Sequence, residues 1–256
     1  MLKIIISPAK KMNHIDDVIS WEQLPTHLQQ ATEIKDLLMT KTYQELKTIW
    51  QCNDQITKLN QERLQTMSLT TRLTPALLAY VGLQFQYMAP QTFTYDQWNY
   101  VRQHLFILSG FYGILGATDG ITPYRLEMQA KLQINNTQNL YDYWQNTIYN
   151  MLSKDTSVII NLASKEYSKT IEKYLDGNVK MLTCTFGELT EVNGIQTVKT
   201  KATAVKMARG EMVRYMAEHD VQEVAQLKSF RRLNYTYSTA HSTDENYIFL
   251  KENEQK

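Results

Sequence analysis

Cysteine is scarce in this sequence. Its 256 residues contain two cysteines, Cys52 and Cys184, which lie far apart and form no C-x-x-C or other ligand spacing. This pattern argues against a disulfide framework and against a cysteine-ligated zinc site, and it is typical of a reduced protein. Histidine offers no better metal site, because the five histidines show no H-x-x-E or H-x₃-H pairing of the kind a helix-borne site needs. We expect no metal and no cofactor.

An excess of charge of one sign is also lacking. Lysine and arginine together number 27 against 26 aspartate and glutamate residues, so the formal net charge is +1. Such a chain is not surrounded by a positive field, and a nucleic-acid partner would have to be held by local clusters of basic residues. With 43% hydrophobic and 21% charged residues, the composition is that of an ordinary globular protein.

Long hydrophobic runs are missing too. No segment approaches the roughly 18 apolar residues needed to cross a bilayer. The apolar run before Pro8 is shorter than the ~7–15 residues of a signal-peptide core. We therefore expect a soluble, cytoplasmic protein with no membrane partner.

Glycine is rare and unevenly placed. Of nine glycines, four fall close together, at Gly110, Gly113, Gly116 and Gly120. Glycine permits a positive φ and allows a partner to approach the main chain closely. The cluster therefore predicts either a demanding turn, which is the simpler interpretation, or a binding loop.

Apolar runs predict strands at residues 2–6, 105–109, 158–162 and 181–186. Helices are predicted to dominate up to about residue 104, and three pairs of residues give helix-start signals. These pairs are Thr42 with Glu45, Thr74 with Pro75, and Thr94 with Gln97.

The last part of the chain adds a hairpin, a helix and a pair of strands. Asn193-Gly194 between two alternating segments is a strong hairpin signal. A helix is predicted over 202–218, and an antiparallel pair over 233–239 and 246–250. Strands mixed with long helices, without regular alternation, predict an α+β fold. We expect one compact domain spanning residues 1–256, with a mixed β-sheet surrounded by helices.

Three predicted strands are followed by loops of one kind. The segments IIISPAKK, FILSGFYG and IINLASKEY each pass from an apolar run to small and polar residues and then to a turn or helix start. Ligands of such sheets bind beyond the strand ends, where backbone N–H groups and helix N-termini favour anions. An ordinary turn explains any one loop, but three loops together favour a shared anionic ligand in a basic cleft. The residues predicted to line it are Ser7, Lys10, Lys11, Ser109, Gly110, Gly113, Arg125, Asn161, Ser164 and Lys165. None of the loops is a Walker loop or a G-x-G-x-x-G fingerprint, so no nucleotide cofactor is specified.

The segment KTKATAVKMARGEMVRYM is rich in basic residues. At helical spacing Lys206 and Arg209 fall on one side, with Lys201 or Arg214 near them. Such a side is either a solvated surface or an anion-binding face, and both interpretations remain open. Gly210 inside the helix is less favourable than alanine by about 1 kcal/mol. A close approach by a partner, or by another backbone, would explain it.

The same residues resemble a known family. Six motifs follow one another along almost the whole chain: ISPAK at 6–10, LSGFYGIL at 108–115, PYRLEM at 123–128, LYDYW at 140–144, NLASKEY at 161–167 and ARGEMVRY at 208–215. On these motifs the chain resembles the YaaA family of bacterial cytoplasmic peroxide stress proteins. That family is associated with limiting unincorporated iron and so with limiting oxidative DNA damage.

The resemblance implies one compact α/β domain with a positively charged cleft and a helix-hairpin-helix element that contacts DNA. It implies basic roles for Lys10, Arg125, Lys206 and Arg209. The chain departs from the family pattern at Met207, where family members carry the second of two paired lysines, and this departure weakens the basic patch.

The hairpin has two candidate positions. Helices over 42–50 and 54–66 fit the first and include Lys58 and Arg63, but QCND between them lacks the glycine that such hairpins use to bring main-chain N–H groups to phosphate. The Gly110–Gly113 turn is the rival position, although the strand-like LFILS before it argues against a helical hairpin.

The sequence leaves three functions to consider for this protein. The first is a stress protein that binds DNA through the cleft, mostly by phosphate contacts and without strong sequence preference. The second is an enzyme acting on a nucleotide or another phosphorylated small molecule, with Arg125 binding the anion and Glu127 as a possible general base. The third, an iron chelator, is disfavoured by the scattered histidines and cysteines.

Overall fold

The computed structural model describes residues 1–15, 18–192 and 194–252. Its strands are β1 Leu2–Ile6, β2 Lys11–Met12, β3 Thr74–Pro75, β4 Tyr80–Val81, β5 Leu105–Ser109, β6 Gly113–Gly116, β7 Gly120–Ile121, β8 Val158–Leu162, β9 Lys180–Val192, β10 Ile195–Lys199, β11 Tyr235–Tyr237 and β12 Asn246–Lys251. Its α-helices are α1 Leu28–Met39, α2 Tyr43–Trp50, α3 Asp54–Thr66, α4 Ala76–Ala79, α5 Leu83–Met88, α6 Tyr95–His104, α7 Leu140–Trp144, α8 Thr147–Ser153, α9 Lys165–Glu172 and α10 Ala202–Glu218. Short 3₁₀ helices cover Pro90–Thr92 and Val224–Ser229.

The main sheet is mixed and has eight strands in the order β11-β12-β9-β8-β1-β5-β6, with β10 paired to β9. The five strands β12, β9, β8, β1 and β5 run parallel. The strands β11 and β6, at the two ends of this order, pair antiparallel to their neighbours. The predicted α+β class with a mixed sheet is confirmed.

The position of β1 in the sheet creates the crevice. Every residue of β1 is buried, as its largely apolar sequence predicts for a strand covered on both faces. Its one charged residue, Lys3, donates through Nζ to the Leu152 carbonyl oxygen at 2.9 Å. From β1 the chain reaches its parallel neighbour β5 on one side, and it later places β8 on the other side. When the loops after two neighbouring parallel strands turn to opposite faces of the sheet, a crevice opens between the two loops. The crevice lies where Ser7 follows β1 and Ser164 follows β8.

Most helix-start signals act as predicted. The capping boxes of Thr42 with Glu45 and of Thr94 with Gln97 are both formed. A helix, α4, does begin directly after Thr74-Pro75, at Ala76, but the capping role predicted for Thr74 is wrong, because Thr74 and Pro75 form β3 and pair with β7. The Thr74 hydroxyl accepts a hydrogen bond from the Ile15 N–H at 2.9 Å instead of capping a helix.

The elements predicted near the C-terminus are also present. The strands β9 and β10 pair antiparallel, so the hairpin is confirmed, while Asn193 of its turn lies outside the described residues. The helix α10 has the predicted bounds. The strands β11 and β12 form the predicted antiparallel pair.

The glycine in α10 has a structural cause. A Cβ on Gly210 would come 2.1 Å from the Gln84 carbonyl oxygen, so α10 and α5 touch backbone to backbone at this point. This is the close approach by another backbone that the sequence suggested. The contact draws α5 and α10 together along one wall of the crevice.

No helix within the described residues is long and apolar enough to cross a membrane.

Candidate anion-binding cleft

A cleft with a volume of about 410 Å³ lies at the carboxyl ends of β1 and β8. Its walls come from the loop after β1, the start of α5, the segment before α7, the start of α9 and the middle of α10. The lining residues are Ser7, Pro8, Ala9, Lys10, Lys11, Val81, Gly82, Leu83, Gln84, Phe85, Tyr124, Arg125, Leu126, Glu127, Ser164, Glu166, Tyr167, Lys206 and Arg209.

Two serines join the loops at the base of this cleft. The Ser164 backbone N–H donates to Ser7 Oγ at 2.8 Å, and the Ser7 hydroxyl donates to Ser164 Oγ at 3.2 Å. Ser164 is the residue before α9, and its backbone is extended. The hydroxyls therefore hold the β1 loop against the start of α9.

The segment PYRLEM supplies an arginine and a carboxylate. Glu127 Oε1 lies 2.6 Å from Lys10 Nζ and 3.6 Å from Arg125 Nη2. The Lys10 side chain is 65% exposed, whereas the Arg125 side chain is 9% exposed. Lys10 is thus a solvent-exposed group at the mouth of the cleft, and Arg125 is a recessed one held against the protein.

The helix α10 brings two more cations to the cleft. Lys206 is exposed and Arg209 is partly buried. Burial lowers the pKa of Arg209 to about 10, so its guanidinium stays protonated at neutral pH but is poorly solvated.

Three side-chain donors that line the cleft lack partners. The Nε atoms of Arg125 and Arg209 and the Nε2 atom of Gln84 are buried and have no hydrogen-bond partner in the part of the chain that the structure describes. Buried donors in folded proteins are normally satisfied, and each exception calls for an explanation. Acceptors of a ligand in the cleft would provide one.

The balance of charge in the cleft is positive. Five cationic side chains line it, against the two carboxylates Glu127 and Glu166. Burial and the nearby Glu127 raise the pKa of Glu166, and its carboxylate accepts a hydrogen bond from the Gln129 N–H at 3.3 Å. The arrangement favours an anion and places a titratable carboxyl beside it.

Seven of the residues predicted from the sequence come together here. They are Ser7, Lys10, Lys11, Arg125, Ser164, Lys206 and Arg209. Glu127, the predicted general base, joins them. Lys165 is not among the lining residues and pairs with Glu172. Lys201 pairs with Glu188 at 2.8 Å, also away from the cleft.

The predicted glycine turn packs against the segment that carries Arg125 and Glu127. It closes the β5–β6 hairpin, in which Ser109 pairs with Gly113, so the helical-hairpin interpretation of this turn is wrong. Gly113 has a φ of 73° and packs against the Trp144 ring. Gly110 packs against the main chain of Leu126 and Glu127. This turn therefore fixes the segment that carries Arg125 and Glu127, although its own residues do not line the cleft.

Ser109, Asn161 and Arg214 make internal contacts. The Ser109 hydroxyl accepts hydrogen bonds from two backbone N–H groups of its turn and lies 2.6 Å from the Tyr124 hydroxyl. The Asn161 amide bonds to the Ala163 N–H and to Thr183. Arg214 pairs with Glu218 and donates to Thr92. None of the three is a lining residue.

Sequence reasoning missed the uncharged part of the cleft. Gln84, Phe85, Tyr124 and Tyr167 line it. Tyr124 and Tyr167 stand within the motifs PYRLEM and NLASKEY, but only other residues of those motifs were predicted to line the cleft, and Gln84 and Phe85 stand in no motif. The available signal was indirect: Gly210 indicated a close neighbour, and that neighbour is the main chain of Gln84.

The helices α2 and α3 occupy the predicted position of a helical hairpin. Gln51, which follows α2, takes a left-handed conformation with a φ of 46°, the role that glycine would have filled. Arg63 donates to the Met12 carbonyl oxygen at 3.2 Å, while Lys58 is exposed. Contact of this pair with DNA stays a prediction.

No group of three or more His, Cys, Asp or Glu side chains within residues 1–15, 18–192 and 194–252 is placed to hold a metal ion.

Known proteins match nearly the whole chain. The family model described as peroxide stress protein YaaA matches residues 2–241. A UPF0246 protein of Desulfitobacterium hafniense is 50% identical over 250 residues, which make up 98% of each chain. A UPF0246 protein of Lachnoclostridium phytofermentans is 47% identical over 98% of this chain and 96% of its own. One of Agathobacter rectalis is 49% identical over 97% of this chain and 98% of its own.

Proposed function

The chain belongs to the YaaA family of peroxide stress proteins, and we propose that it protects DNA during peroxide stress by binding it at the cleft. In this proposal a cytoplasmic protein holds DNA mainly through its phosphates. Bound protein then helps to limit iron-dependent oxidative damage to the DNA.

The observation that carries the proposal is the pair of recessed arginines. The Nε atoms of Arg125 and Arg209 are buried without a partner among the described residues. A buried donor without an acceptor is unfavourable. The planar guanidinium fork matches the oxygens of a phosphate, so phosphate groups in the cleft would supply the missing acceptors.

Exposed lysines around the cleft give further support. Lys10, Lys11 and Lys206 are all exposed lining residues. Such side chains attract phosphate by charge and carry no information about the base. DNA held in this way would be bound with weak sequence preference and released by salt.

The test is the salt dependence of binding to a short DNA duplex. Each phosphate contact contributes about −0.9 to the slope of log affinity against log salt. Replacing Lys206 and Arg209 together by alanine should flatten that slope by roughly two units. The control, Lys154→Ala with Lys199→Ala, removes two exposed lysines outside the cleft and should leave the slope nearly unchanged. Equal slopes in both double variants would contradict binding at the cleft and direct attention to α2 and α3.

A second candidate function is an enzyme acting on a nucleotide or another phosphorylated small molecule. Glu166 favours it, because a carboxyl with a raised pKa near Glu127 and Lys10 is suited to proton transfer. The cleft volume of about 410 Å³ also falls in the range of small-molecule sites, roughly 300–1,000 Å³. Incubation with a panel of nucleotides, followed by chromatography of the products, tests it. Turnover that is lost in Glu166→Gln would support the enzyme, and unchanged nucleotides would remove it.

A further inference from the structure

We propose that the cleft receives one unstacked nucleotide, with its phosphate on the cationic side chains and its base against the aromatic lining beside the Gln84 amide. This inference rests on the proposed function for DNA as the source of the nucleotide. A free mononucleotide has the same chemistry, and the experiment below separates the two sources.

The lining of the cleft has a second chemical character besides charge. Val81, Leu83, Phe85, Tyr124 and Tyr167 are among its residues. A site for phosphate alone has no use for such a surface, because phosphate gains nothing from apolar contact. Aromatic side chains are the platforms on which proteins stack unpaired bases.

One tyrosine of this lining, Tyr124, already has its polar atom engaged. The Tyr124 hydroxyl lies 2.6 Å from Ser109 Oγ and 2.8 Å from the Tyr80 hydroxyl. The ring stacks on Phe111 and packs edge to face with Tyr80 and Tyr112, so the part of Tyr124 that can contact a ligand is the part of the ring that lines the cleft. A flat, apolar group such as a nucleobase suits that contact better than a sugar or a phosphate does.

Gln84 supplies the polar element that a base requires. Its side chain is buried, with 6% of the residue exposed, and its Nε2 has no hydrogen-bond partner within the described ranges. The backbone contact with Gly210 fixes Gln84 beside Arg209. A glutamine amide offers a donor and an acceptor side by side, and this pair matches the edge of a base.

A base inside a duplex cannot reach this position. The cleft lies between loops and helices of the protein, so a base that enters it must leave the stack, as happens in enzymes that extrude a nucleotide. An unpaired nucleotide is the easiest to extrude. We therefore expect the protein to prefer DNA that carries one unpaired nucleotide over fully paired DNA.

The experiment compares three duplexes of otherwise identical sequence. One is fully paired, one carries a single bulged thymidine, and one carries an abasic bulge that keeps the phosphate but lacks the base. The bulged thymidine should bind more tightly than the abasic bulge by about tenfold, since a well-placed base contact discriminates by that order. The unpaired thymine, which permanganate oxidises in free DNA, should become protected on binding.

Two variants on α5 assign the effect to the cleft. Gln84→Met keeps the length of the side chain and removes the amide, and it should abolish the preference for thymidine over the abasic bulge. Gln86→Met is the matched control, because Gln86 is exposed on the same helix and does not line the cleft. Thermal unfolding of both variants shows whether either change disturbs the fold.

The outcomes separate this inference from the proposed function. Equal affinity for all three duplexes, with steep salt dependence, would leave DNA binding intact and overturn the nucleotide site. If no DNA binds, the proposed function fails, and thymidine monophosphate is compared with inorganic phosphate as the ligand. If thymidine monophosphate binds more tightly than phosphate, and Gln84→Met removes that difference, the site exists and its occupant is a free mononucleotide. If thymidine monophosphate and phosphate bind equally, or if neither binds, the nucleotide site is overturned.

Discussion

Gly210 of α10 lies against the main chain of Gln84 in α5 so closely that a Cβ would come 2.1 Å from the Gln84 carbonyl oxygen. The residue before this glycine, Arg209, and Gln84 itself both line the cleft. The spacing of two unpartnered donors is thus set by a backbone contact that a side chain on residue 210 would block.

Gly210→Ala should therefore destabilise the protein. In an isolated helix alanine would add about 1 kcal/mol of stability, but here its methyl group forces α5 and α10 apart, and overpacking costs about 1–3 kcal/mol. We expect a lower free energy of unfolding in urea and weaker DNA binding. Ala202→Gly, at the exposed first residue of α10, shows whether lower stability alone weakens DNA binding. It should also destabilise the protein, by up to about 1 kcal/mol, but it should leave the DNA affinity unchanged. A higher free energy of unfolding in Gly210→Ala would show that α5 and α10 do not touch at this point.

Glu127 should oppose the binding of anions. Its carboxylate lies 2.6 Å from Lys10 Nζ and 3.6 Å from Arg125 Nη2, and so it occupies two cations that a phosphate would need. Glu127→Gln removes the negative charge at nearly constant shape. We expect DNA affinity to rise about three- to tenfold at low salt, and the gain to shrink as salt increases. Titrations at two salt concentrations measure both effects.

The matched control for Glu127 lies in the β9–β10 hairpin. Glu188 pairs with Lys201 at 2.8 Å, and neither residue lines the cleft. Glu188→Gln changes the net charge of the protein by the same amount, and it should barely alter the affinity. A similar gain in both variants would show that overall charge, not competition within the cleft, governs binding.

The strands were predictable because their information is local. Residues 2–6 are apolar except for Lys3, a pattern that suits a strand covered on both faces, and the structure has β1 there. The signal at Thr74 was local as well, but it failed because pairing of Pro75 with Gly120 outweighs the start of a four-residue helix. Tertiary pairing overrides a capping pattern when the helix that follows is short.

The cationic half of the cleft was predictable and the aromatic half was not. Lys10, Arg125 and Arg209 stand in motifs whose residue types indicate anion binding. Gln84 resembles an ordinary helix residue in sequence, and Tyr124 stands beside Arg125 in PYRLEM but is not a residue type that indicates anion binding. The packing of α5 against α10 and the hydroxyl contacts of Tyr124 give the two a place in the site. Gln84 is assigned to the site because its buried Nε2 has no hydrogen-bond partner among the described residues, and a sequence pattern does not show whether a side chain has a partner.

Asp119 should make the stability depend on pH. Its carboxyl is fully buried, and burial raises its pKa from 3.8 to about 6, although hydrogen bonds from Gln23 and the Gly116 N–H oppose the shift. A raised pKa in the folded state means that Asp119 contributes stability below its unfolded pKa, and that this contribution is lost as the pH rises through about 6. The loss is on the order of 3 kcal/mol. Urea unfolding between about pH 4 and pH 7 measures it.

Asp119→Asn provides the comparison for that measurement. The variant has no titrating group at this position, while every other carboxyl remains, so the difference between the two proteins isolates Asp119. We expect the free energy of unfolding of the unmodified protein to fall relative to that of the variant as the pH rises. Parallel pH profiles would show that Asp119 does not change its protonation state in this range.

Arg209 should stabilise a complex and destabilise the protein alone. Its guanidinium is poorly solvated, and its Nε has no partner among the residues that the structure describes. Replacing a partly buried charge whose Nε lacks a partner with an apolar side chain of similar length relieves that penalty. Arg209→Met should therefore raise the free energy of unfolding without ligand by about 1–3 kcal/mol at neutral pH, and it should weaken DNA binding at least tenfold.

The stability gained in Arg209→Met should depend on pH. Burial lowers the folded-state pKa of Arg209 from 12.5 to about 10, so the folded protein loses this proton more readily than the unfolded chain does. The penalty of the buried charge is fully present below pH 10 and is relieved as the pH rises through that value. The advantage of Arg209→Met should accordingly stay constant from neutral pH to about pH 10 and shrink only above that value, as the pH approaches the unfolded pKa of 12.5. Saturating DNA should reverse the order of stability, because bound phosphate stabilises the unmodified protein by ligand linkage. A variant that is less stable without DNA would show that Arg209 is a structural cation whose partner lies within the protein.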